Sequence, residues 1–191
     1  MAGVAGLVLA GGVGTRFGGP KAWALLPDGR TFLDACVAVL CEAGADPIAA
    51  TLPPGSADPA IDGLIAFSLP TPGLDMFASV KIGLRGLLAV EGWTRAAILP
   101  VDHPLVESAA ISAIAAGDGP AAIPSFRGKH GHPVVIDRSI AETIADGSLP
   151  GPTLREVLGE IGAIDVPVDD PGTIANCNTP DALQRALRNA R

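Results

Sequence analysis

The first stretch of this sequence that could do chemistry is a glycine-rich segment, LAGGVGTRFGGPK, from Leu9 to Lys21. It directly follows a short apolar run and holds five glycines together with two cations, Arg16 and Lys21. Glycine leaves backbone N–H groups unobstructed by Cβ atoms, so that they can converge on phosphate oxygens. Arginine adds a planar fork of donors, and lysine adds a point charge. The segment therefore predicts a phosphate-binding turn rather than a merely flexible loop.

Two familiar phosphate-binding motifs do not fit this segment. A P-loop requires Ser or Thr after its GK pair, whereas Lys21 precedes Ala22. A GxGxxG dinucleotide fingerprint starting at Gly12 meets Phe17 where its third glycine belongs. The second predicted strand, which ends near Leu52, also lacks the terminal acid that would hold a ribose. An NAD-dependent oxidoreductase is therefore disfavoured.

Further polar candidates lie in the second half of the chain. Asp102 follows the apolar run RAAILPV, which places it at the carboxyl end of a predicted strand, where a hard oxygen ligand for Mg²⁺ belongs. A turn or helix-cap residue is the alternative reading of this aspartate. His130 and His132 form an HxH pair, which alone is a weak metal signal. Arg127 and Lys129 add positive charge beside the histidines.

The elements that would position these residues alternate along the chain. Short apolar runs predict strands at 4–10, 47–52, 64–69, 95–101, 120–124, 132–136 and 163–168. Helical spacing or capping signals predict helices at 31–44, 76–92, 106–117 and 179–190. Strands that are apolar throughout are typical of a sheet covered on both faces. We predict a three-layer α/β/α Rossmann-like domain with a mostly parallel sheet, which binds ligands beyond the carboxyl ends of its strands.

Composition excludes several classes of partner. The 191 residues fit a single domain, 1–191, and no apolar run approaches the ~20 residues that span a bilayer. A net charge of −7 argues against nucleic-acid binding. The short N-terminal apolar run lacks a basic flank, so it is not read as a signal peptide. Three cysteines without a CxxC motif fit thiols in a reducing compartment, and we expect a cytoplasmic protein without a membrane partner.

Five segments of the chain resemble the MobA-like nucleotidyltransferases, a group that includes the guanylyl- and cytidylyltransferases of molybdenum cofactor maturation. The opening segment matches the signature LA(G/A)GxGxRxGxxK. The other four are DMFASVKIGL (75–84), LPVDHPLV (99–106), GKHGHPVVI (128–136) and NCNTPDAL (176–183). The resemblance implies a Mg²⁺-dependent enzyme that uses a nucleoside triphosphate and releases pyrophosphate. It further implies molybdopterin as the phosphorylated acceptor and a molybdoenzyme or its chaperone as a partner.

The resemblance also assigns expected roles to individual residues. The predicted nucleotide-binding residues are Leu9, Ala10, Gly11, Gly12, Gly14, Arg16, Lys21 and Ser79. Arg16 would hold the β- and γ-phosphates, and Lys21 would stabilise charge at the α-phosphate. Asp102 would act with these two cations in catalysis and would share the metal with Asn178. His132 and Lys129 would contact the acceptor.

Several alternatives stay open on the sequence. Cytidylyl members carry acids in the closing motif, where this chain has Asn176 and Asn178, but DHPLV and GHPV look cytidylyl-like, so CTP is slightly favoured over GTP. Ser79 reads equally well as a plain helix cap. We also expect Gly12 to have a positive φ and to admit close phosphate approach. The competing functions are a sugar-1-phosphate nucleotidyltransferase and a non-catalytic nucleotide-binding protein with a weakened metal site.

Overall fold

The computed structural model describes residues 3–12, 14, 17–149 and 153–189. Within these residues the strands are β1 (Val4–Leu9), β2 (Ala45–Leu52), β3 (Leu64–Ser68), β4 (Arg95–Pro100), β5 (Ala121–Phe126), β6 (Lys129–His130), β7 (Val134–Asp137) and β8 (Ile164–Pro167). The helices are α1 (Phe32–Glu42), α2 (Met76–Leu88), α3 (Ser108–Ala115), α4 (Arg138–Asp146), α5 (Leu154–Glu160) and α6 (Pro180–Asn189). Short 3-10 helices cover Lys21–Trp23 and Pro171–Ile174.

The strands form one mixed sheet with a parallel core. Its order is β3-β2-β1-β4-β7-β5-β6, and β8 pairs with β5. Strands β3, β2, β1 and β4 run parallel, whereas β7 is antiparallel to both β4 and β5. The predicted mostly parallel sheet is confirmed, and each predicted strand is present. The sequence did not predict the reversal of β7, because a strand buried on both faces is apolar in either direction. It also missed β6, which is too short to show a period.

Helices cover both faces of the sheet, which confirms the three-layer prediction. Helices α1, α3 and α6 pack on one face, and α2, α4 and α5 pack on the other. In β4, Leu99 points to the first face and Ile98 to the second, as the two-residue period of a strand requires. Helices α4 and α5 were not predicted. In α4 the buried positions are Ala141, Ile144 and Ala145, of which two are alanines with little apolar surface.

Local sequence signals explain the helices that were predicted. The hydroxyl of Thr31 accepts a hydrogen bond from the Asp34 N–H at 3.0 Å, and the Asp34 carboxylate accepts one from the Thr31 N–H at 2.8 Å. This capping box starts α1. In α2 the predicted apolar stripe is buried: Phe77, Val80, Leu84 and Leu87. None of the helices in the described ranges is long and apolar enough to cross a bilayer. All three cysteines are free thiols.

Candidate active site

The glycine-rich segment leaves β1 at the carboxyl edge of the sheet and closes on itself. Gly14 has a φ of +57°, and a Cβ atom there would lie 2.0 Å from the carbonyl oxygen of Gly19. The Phe17 N–H also donates to the Gly14 carbonyl at 2.8 Å. Any side chain at Gly14 would therefore open the turn, so this position must be glycine.

Gly12 differs from the expectation. Its φ is not in the left-handed region, which is occupied by Gly14 and by Gly18 at +77°. The prediction of a positive φ at Gly12 is therefore wrong, because the chain reverses two residues later. A Cβ atom at Gly12 would meet no described atom within 4 Å. As far as the described residues go, the space beside this position is open and leaves room for a ligand.

The base of the glycine-rich segment packs against the start of α2. A Cβ atom at Gly11 would lie 2.1 Å from the Leu69 side chain and 3.8 Å from the Ser79 hydroxyl. Ser79 is buried, and its Oγ donates to the Asp75 carbonyl at 3.2 Å. Asp75 itself caps α2 by accepting from the Ala78 N–H. The N-cap of α2 is therefore Asp75, so the reading of Ser79 as a helix cap is wrong, and nucleotide contact by this serine stays a prediction.

Two other predicted nucleotide-binding residues, Leu9 and Ala10, have no exposed side chain. Leu9 and Ala10 are buried, and their backbones pair with the neighbouring strands: the Ala10 N–H donates to Thr51, and the Leu9 carbonyl accepts from Val101. Only backbone atoms of these two residues lie near the turn. Arg16 lies outside the described residues, so its contact with phosphate stays a prediction.

Three predicted site residues from distant parts of the chain meet beside the turn. The ammonium of Lys21 donates to Oδ2 of Asp102 at 3.0 Å and also to Oδ1 of Asn178. Lys21 follows the glycine turn, Asp102 follows β4, and Asn178 precedes α6. The side chains of Lys21 and Asp102 are 20% and 14% exposed, so the pair is neither sealed from solvent nor freely hydrated. Two side-chain oxygens from distant parts of the chain therefore converge on one cation.

The oxygen donors around Lys21 suit a hard metal ion. A carboxylate oxygen and an amide oxygen are ligands that Mg²⁺ and Mn²⁺ accept, and here both already coordinate a positive charge. Within the described ranges, no three side chains of the His, Cys, Asp or Glu type form a metal-binding group. The described donor set thus fits a metal held by one carboxylate, one amide and oxygens of the substrate. Asn176 faces a different groove, so only the second asparagine of the NxN pair lies at this position.

Two histidines lie directly behind Asp102. The rings of His103 and His132 meet edge to face, with centroids 4.9 Å apart. Burial lowers the pKa of His103, and burial together with the neighbouring His103 lowers the pKa of His132 to about 4. Both rings are therefore neutral at pH 7. Among the described residues, Nδ1 of His132 is buried without a hydrogen-bond partner.

A cavity of about 830 Å³ opens next to His132. Lys129 also lines it, so the structure brings the two predicted acceptor-binding residues together. His130 lines this cavity too and pairs with Asp165 at 2.9 Å rather than with a metal-binding group. Arg155 of α5 adds a second cation, which sequence reasoning missed because α5 itself was not predicted.

Arg127 does not accompany Lys129. It lines a separate groove of about 850 Å³ together with Arg185 of α6. Arg127 and Gly128 form a two-residue hairpin turn between β5 and β6, with φ values of +50° and +75°. The positive charge expected beside the histidines therefore comes from Lys129 and not from Arg127.

Comparisons with known proteins agree with this geometry. Residues 6–164 match the family described as MobA-like NTP transferase domain. No curated protein sequence matches the chain significantly. One similar solved structure is the homologue of Mycobacterium tuberculosis Rv0371c from Mycobacterium sp. strain JC1, 27% identical, with 98% of this chain and 96% of that chain covered and a TM-score of 0.76.

Two further structures share the fold at lower identity. Rv0371c from M. tuberculosis H37Rv, in complex with manganese, is 24% identical, with 98% of this chain and 99% of that chain covered and a TM-score of 0.75. The 2-C-methyl-D-erythritol 4-phosphate cytidylyltransferase of Thermus thermophilus is 20% identical, with complete coverage of both chains and a TM-score of 0.71. The glycine turn, the strand-end aspartate and the match over most of the sequence lead to one conclusion: this chain belongs to the MobA-like NTP transferase family.

Proposed function

We propose that this protein transfers a nucleoside monophosphate from a nucleoside triphosphate to a phosphorylated small-molecule acceptor and releases pyrophosphate. The observation that carries the proposal is the meeting of Lys21, Asp102 and Asn178 beside the glycine turn. In the reaction, an acceptor phosphate oxygen attacks the α-phosphorus and forms a new P–O bond. The bond from that phosphorus to the bridging oxygen breaks, and pyrophosphate leaves with the bridging oxygen.

The nucleotide-binding half of the proposal rests on the turn from Gly11 to Lys21. The open space at Gly12 gives the triphosphate access to backbone N–H groups. Gly14 packs closely against Gly19, which supports a preorganised backbone in the described part of the turn. By its place in the motif, Arg16 is the proposed partner of the β- and γ-phosphates.

Asp102 and Asn178 are the proposed metal ligands. A divalent ion bound there would neutralise charge on the α-phosphate and on the leaving pyrophosphate. Lys21 lies within reach of the same oxygens, so its ammonium is the proposed contact of the α-phosphate as charge builds. The manganese in the similar Rv0371c structure supports a divalent metal, and Mg²⁺ is the ion to test first.

The proposed acceptor site is the 830 Å³ cavity beside His132. Lys129 and Arg155 supply positive charge for an acceptor phosphate. The neutral ring of His132 can donate or accept a hydrogen bond without adding charge. The GHPV and DHPLV segments support molybdopterin as the acceptor and CTP slightly over GTP. A molybdoenzyme or its chaperone is the corresponding proposed recipient of the product.

A pyrophosphate-release screen tests this function. Each of the four NTPs is combined with molybdopterin, molybdenum-loaded molybdopterin or a panel of sugar phosphates, with Mg²⁺ or Mn²⁺. We expect release with one NTP and a molybdopterin acceptor, and its loss in Lys21→Ala but not in the matched variant Lys81→Ala. Release with sugar phosphates alone would favour the sugar-1-phosphate alternative.

The glycine turn offers a second test of the same proposal. Isothermal titration compares NTP binding by wild type and by Gly12→Val, at a position where a Cβ atom would meet no described atom within 4 Å. We expect native circular dichroism and loss of triphosphate binding. NTP binding in the wild type without pyrophosphate release over hours would instead favour a non-catalytic nucleotide-binding protein.

A further inference from the structure

Asp170 is a buried carboxylate, among the described residues, that neither the sequence motifs nor the proposed chemistry uses. Asp170 is 3% exposed and precedes the 3-10 helix Pro171–Ile174. Its Oδ2 accepts from the Glu107 N–H at 2.9 Å, and its Oδ1 accepts from the Gly172 N–H at 2.7 Å. Hydrogen bonds to an ionised acceptor are the strong ones, so Asp170 ties its own segment firmly to the residues just before α3.

The segment after Asp170 is pressed against the strand-end residues. A Cβ atom at Gly172 would lie 2.2 Å from the Leu105 carbonyl oxygen, so the two backbones are in direct contact. The Gly172 carbonyl also lies 3.5 Å from Nδ1 of His103. Asp170 thus holds the 3-10 helix against the segment that follows β4 and carries Asp102.

The same segment also contacts the acceptor side and then reaches Asn178. The Thr173 carbonyl accepts from the His132 N–H at 2.8 Å, and the Thr173 hydroxyl donates to the Asp170 carbonyl at 2.7 Å. Farther along, the Cys177 N–H donates to the Asp102 carbonyl at 2.7 Å. The next residue is Asn178, whose amide oxygen accepts from Lys21.

We propose that Asp170 is a positioning residue that fixes Asn178 against Asp102 and so sets the distance between the two metal-ligand oxygens. The inference rests on the proposed function, in which those oxygens hold the metal. Asp170 acts through the 3-10 helix and touches no substrate. Without its carboxylate, the Glu107 and Gly172 N–H groups lose their acceptor, and the segment before Asn178 loses its anchor on the α3 side.

The test uses Asp170→Asn and Thr173→Val in the full chain, with Arg95→Lys as the matched control. Asp170→Asn keeps the shape but turns an N–H₂ group toward one of the two donors, and Thr173→Val loosens the same turn without changing charge. Arg95 lies at the opposite end of β4, where it bonds to backbone carbonyls. Hydrogen exchange of the Cys177 amide, measured by NMR, reports the anchor independently of any activity.

We expect Cys177 exchange to accelerate by roughly tenfold in Asp170→Asn, less in Thr173→Val, and not beyond global unfolding in Arg95→Lys. The second measurement is Mn²⁺ affinity in the presence of CTP, from the free-ion EPR signal. Asp170→Asn should weaken it several-fold, and the double variant with Asn178→Ala should bind no more weakly than Asn178→Ala alone, because the two residues act as one unit.

Unchanged Cys177 exchange in both variants of the segment would overturn the proposal. It would also fall if Asn178→Ala weakens Mn²⁺ binding while Asp170→Asn leaves it unchanged. If Asn178→Ala itself has no effect on Mn²⁺ affinity, the positioning role fails together with the metal role of Asn178. Absence of pyrophosphate release by the wild type, with metal affinity still sensitive to both residues, would count against the proposed reaction alone. If Asp170→Asn does not fold, the Cys177 exchange rate and the Mn²⁺ affinity of Thr173→Val decide whether the proposal holds.

Discussion

The two ends of strand β4 each carry a cation, but the two cations are bound in different ways. At the amino end, the Arg95 guanidinium donates to three backbone carbonyls and pairs with Asp137 at 2.9 Å. At the carboxyl end, the Lys21 ammonium is held by side-chain oxygens of Asp102 and Asn178. Three of the four partners of Arg95 are backbone carbonyls with fixed positions, whereas both partners of Lys21 are side chains that can turn toward another cation or ligand.

The difference indicates that the partners at the amino end stabilise the fold, whereas those at the carboxyl end are able to bind another cation or a ligand. Among the described residues, a buried nitrogen without a hydrogen-bond partner occurs at both ends: Nδ1 of His132 at the carboxyl end, and Nε of Arg95, which has only its ion pair with Asp137, at the amino end. The carboxyl end in addition holds Arg127 with a φ of +50°. Strain and unsatisfied polar groups persist where other parts of a structure hold them in place, and they are concentrated at functional sites. The contrast predicts that substitution of Lys21 or its oxygen partners changes activity, and that substitution of Arg95 changes stability.

The largest expected effect is on the rate of nucleotidyl transfer in Lys21→Ala. Loss of one cation that stabilises charge at the α-phosphate should cost roughly 3–4 kcal/mol of transition-state stabilisation, by analogy with oxyanion donors. NTP affinity should change far less, because the glycine turn stays intact. Single-turnover rates and titration calorimetry separate the two quantities. A wild-type rate in this variant would show that the cation at the carboxyl end of β4 is not needed for the reaction.

The second prediction concerns the pH dependence of stability at the carboxyl end. The pKa of His132 is about 4 in the folded protein, against about 6.5 when unfolded, so the unfolded state binds more protons between these values. Stability is therefore full above pH 6.5 and falls as the pH drops toward 4, by up to about 3 kcal/mol. Urea unfolding from pH 4.5 to 8 should show this slope in the wild type and a flatter one in His132→Gln. Equal slopes would mean that His132 is not buried as a neutral ring.

At the amino end, Arg95→Lys should reduce the free energy of unfolding by about 2 kcal/mol. A single ammonium cannot reach the carbonyls of Ala115, Gly117 and Gly119 together, so some of these acceptors lose their donor. Activity below the melting temperature should be unchanged, since no predicted site residue contacts Arg95. Urea unfolding measures the free energy of unfolding, and pyrophosphate release measures the activity. A slower reaction in Arg95→Lys, at wild-type stability, would contradict the proposed difference between the two ends of β4.

Relief of strain at the carboxyl end should raise stability. Arg127 occupies the first position of a two-residue hairpin turn with positive φ at both positions, for which asparagine is preferred. Arg127→Asn should therefore increase the free energy of unfolding by about 1 kcal/mol. Arg185→Asn, in the regular backbone of α6, is the control and should give no gain. A loss of stability in Arg127→Asn would show that contacts of the arginine outweigh its backbone strain.

The smallest expected effect is a change in metal requirement. Asn178→Asp adds a second carboxylate beside Asp102, and charge count tunes the affinity of a site for hard cations. The Mg²⁺ concentration for half-maximal rate should fall several-fold, while the rate at saturating Mg²⁺ changes little. The double variant with Asp102→Asn should be non-additive, since both groups share one ion. An identical Mg²⁺ dependence in wild type and Asn178→Asp would mean that position 178 does not touch the metal.

The sequence by itself determined the parts of this protein that depend on neighbouring residues. The apolar runs predicted seven strands, Thr31 predicted the start of α1, and the spacing from Phe77 to Leu87 predicted the buried face of α2. The glycines before Lys21 indicated a turn that only glycine can form, although the required positive φ lies at Gly14 rather than Gly12. These features follow from backbone sterics and local periodicity, which act over a few residues.

Only the tertiary structure decided which distant groups meet. The order of the strands brings Lys21 to Asp102 and Asn178, and the reversed β7 brings His132 against His103. Charge and spacing did not separate Arg127 from Lys129, because Arg127 lies in the hairpin turn and lines one cavity, whereas Lys129 starts β6 and lines the other. The anchoring carboxylate of Asp170 gave no sequence signal, since its partners are backbone N–H groups, which every residue except proline carries. Contacts of this kind depend on sheet order and backbone path, which no local pattern in the sequence encodes.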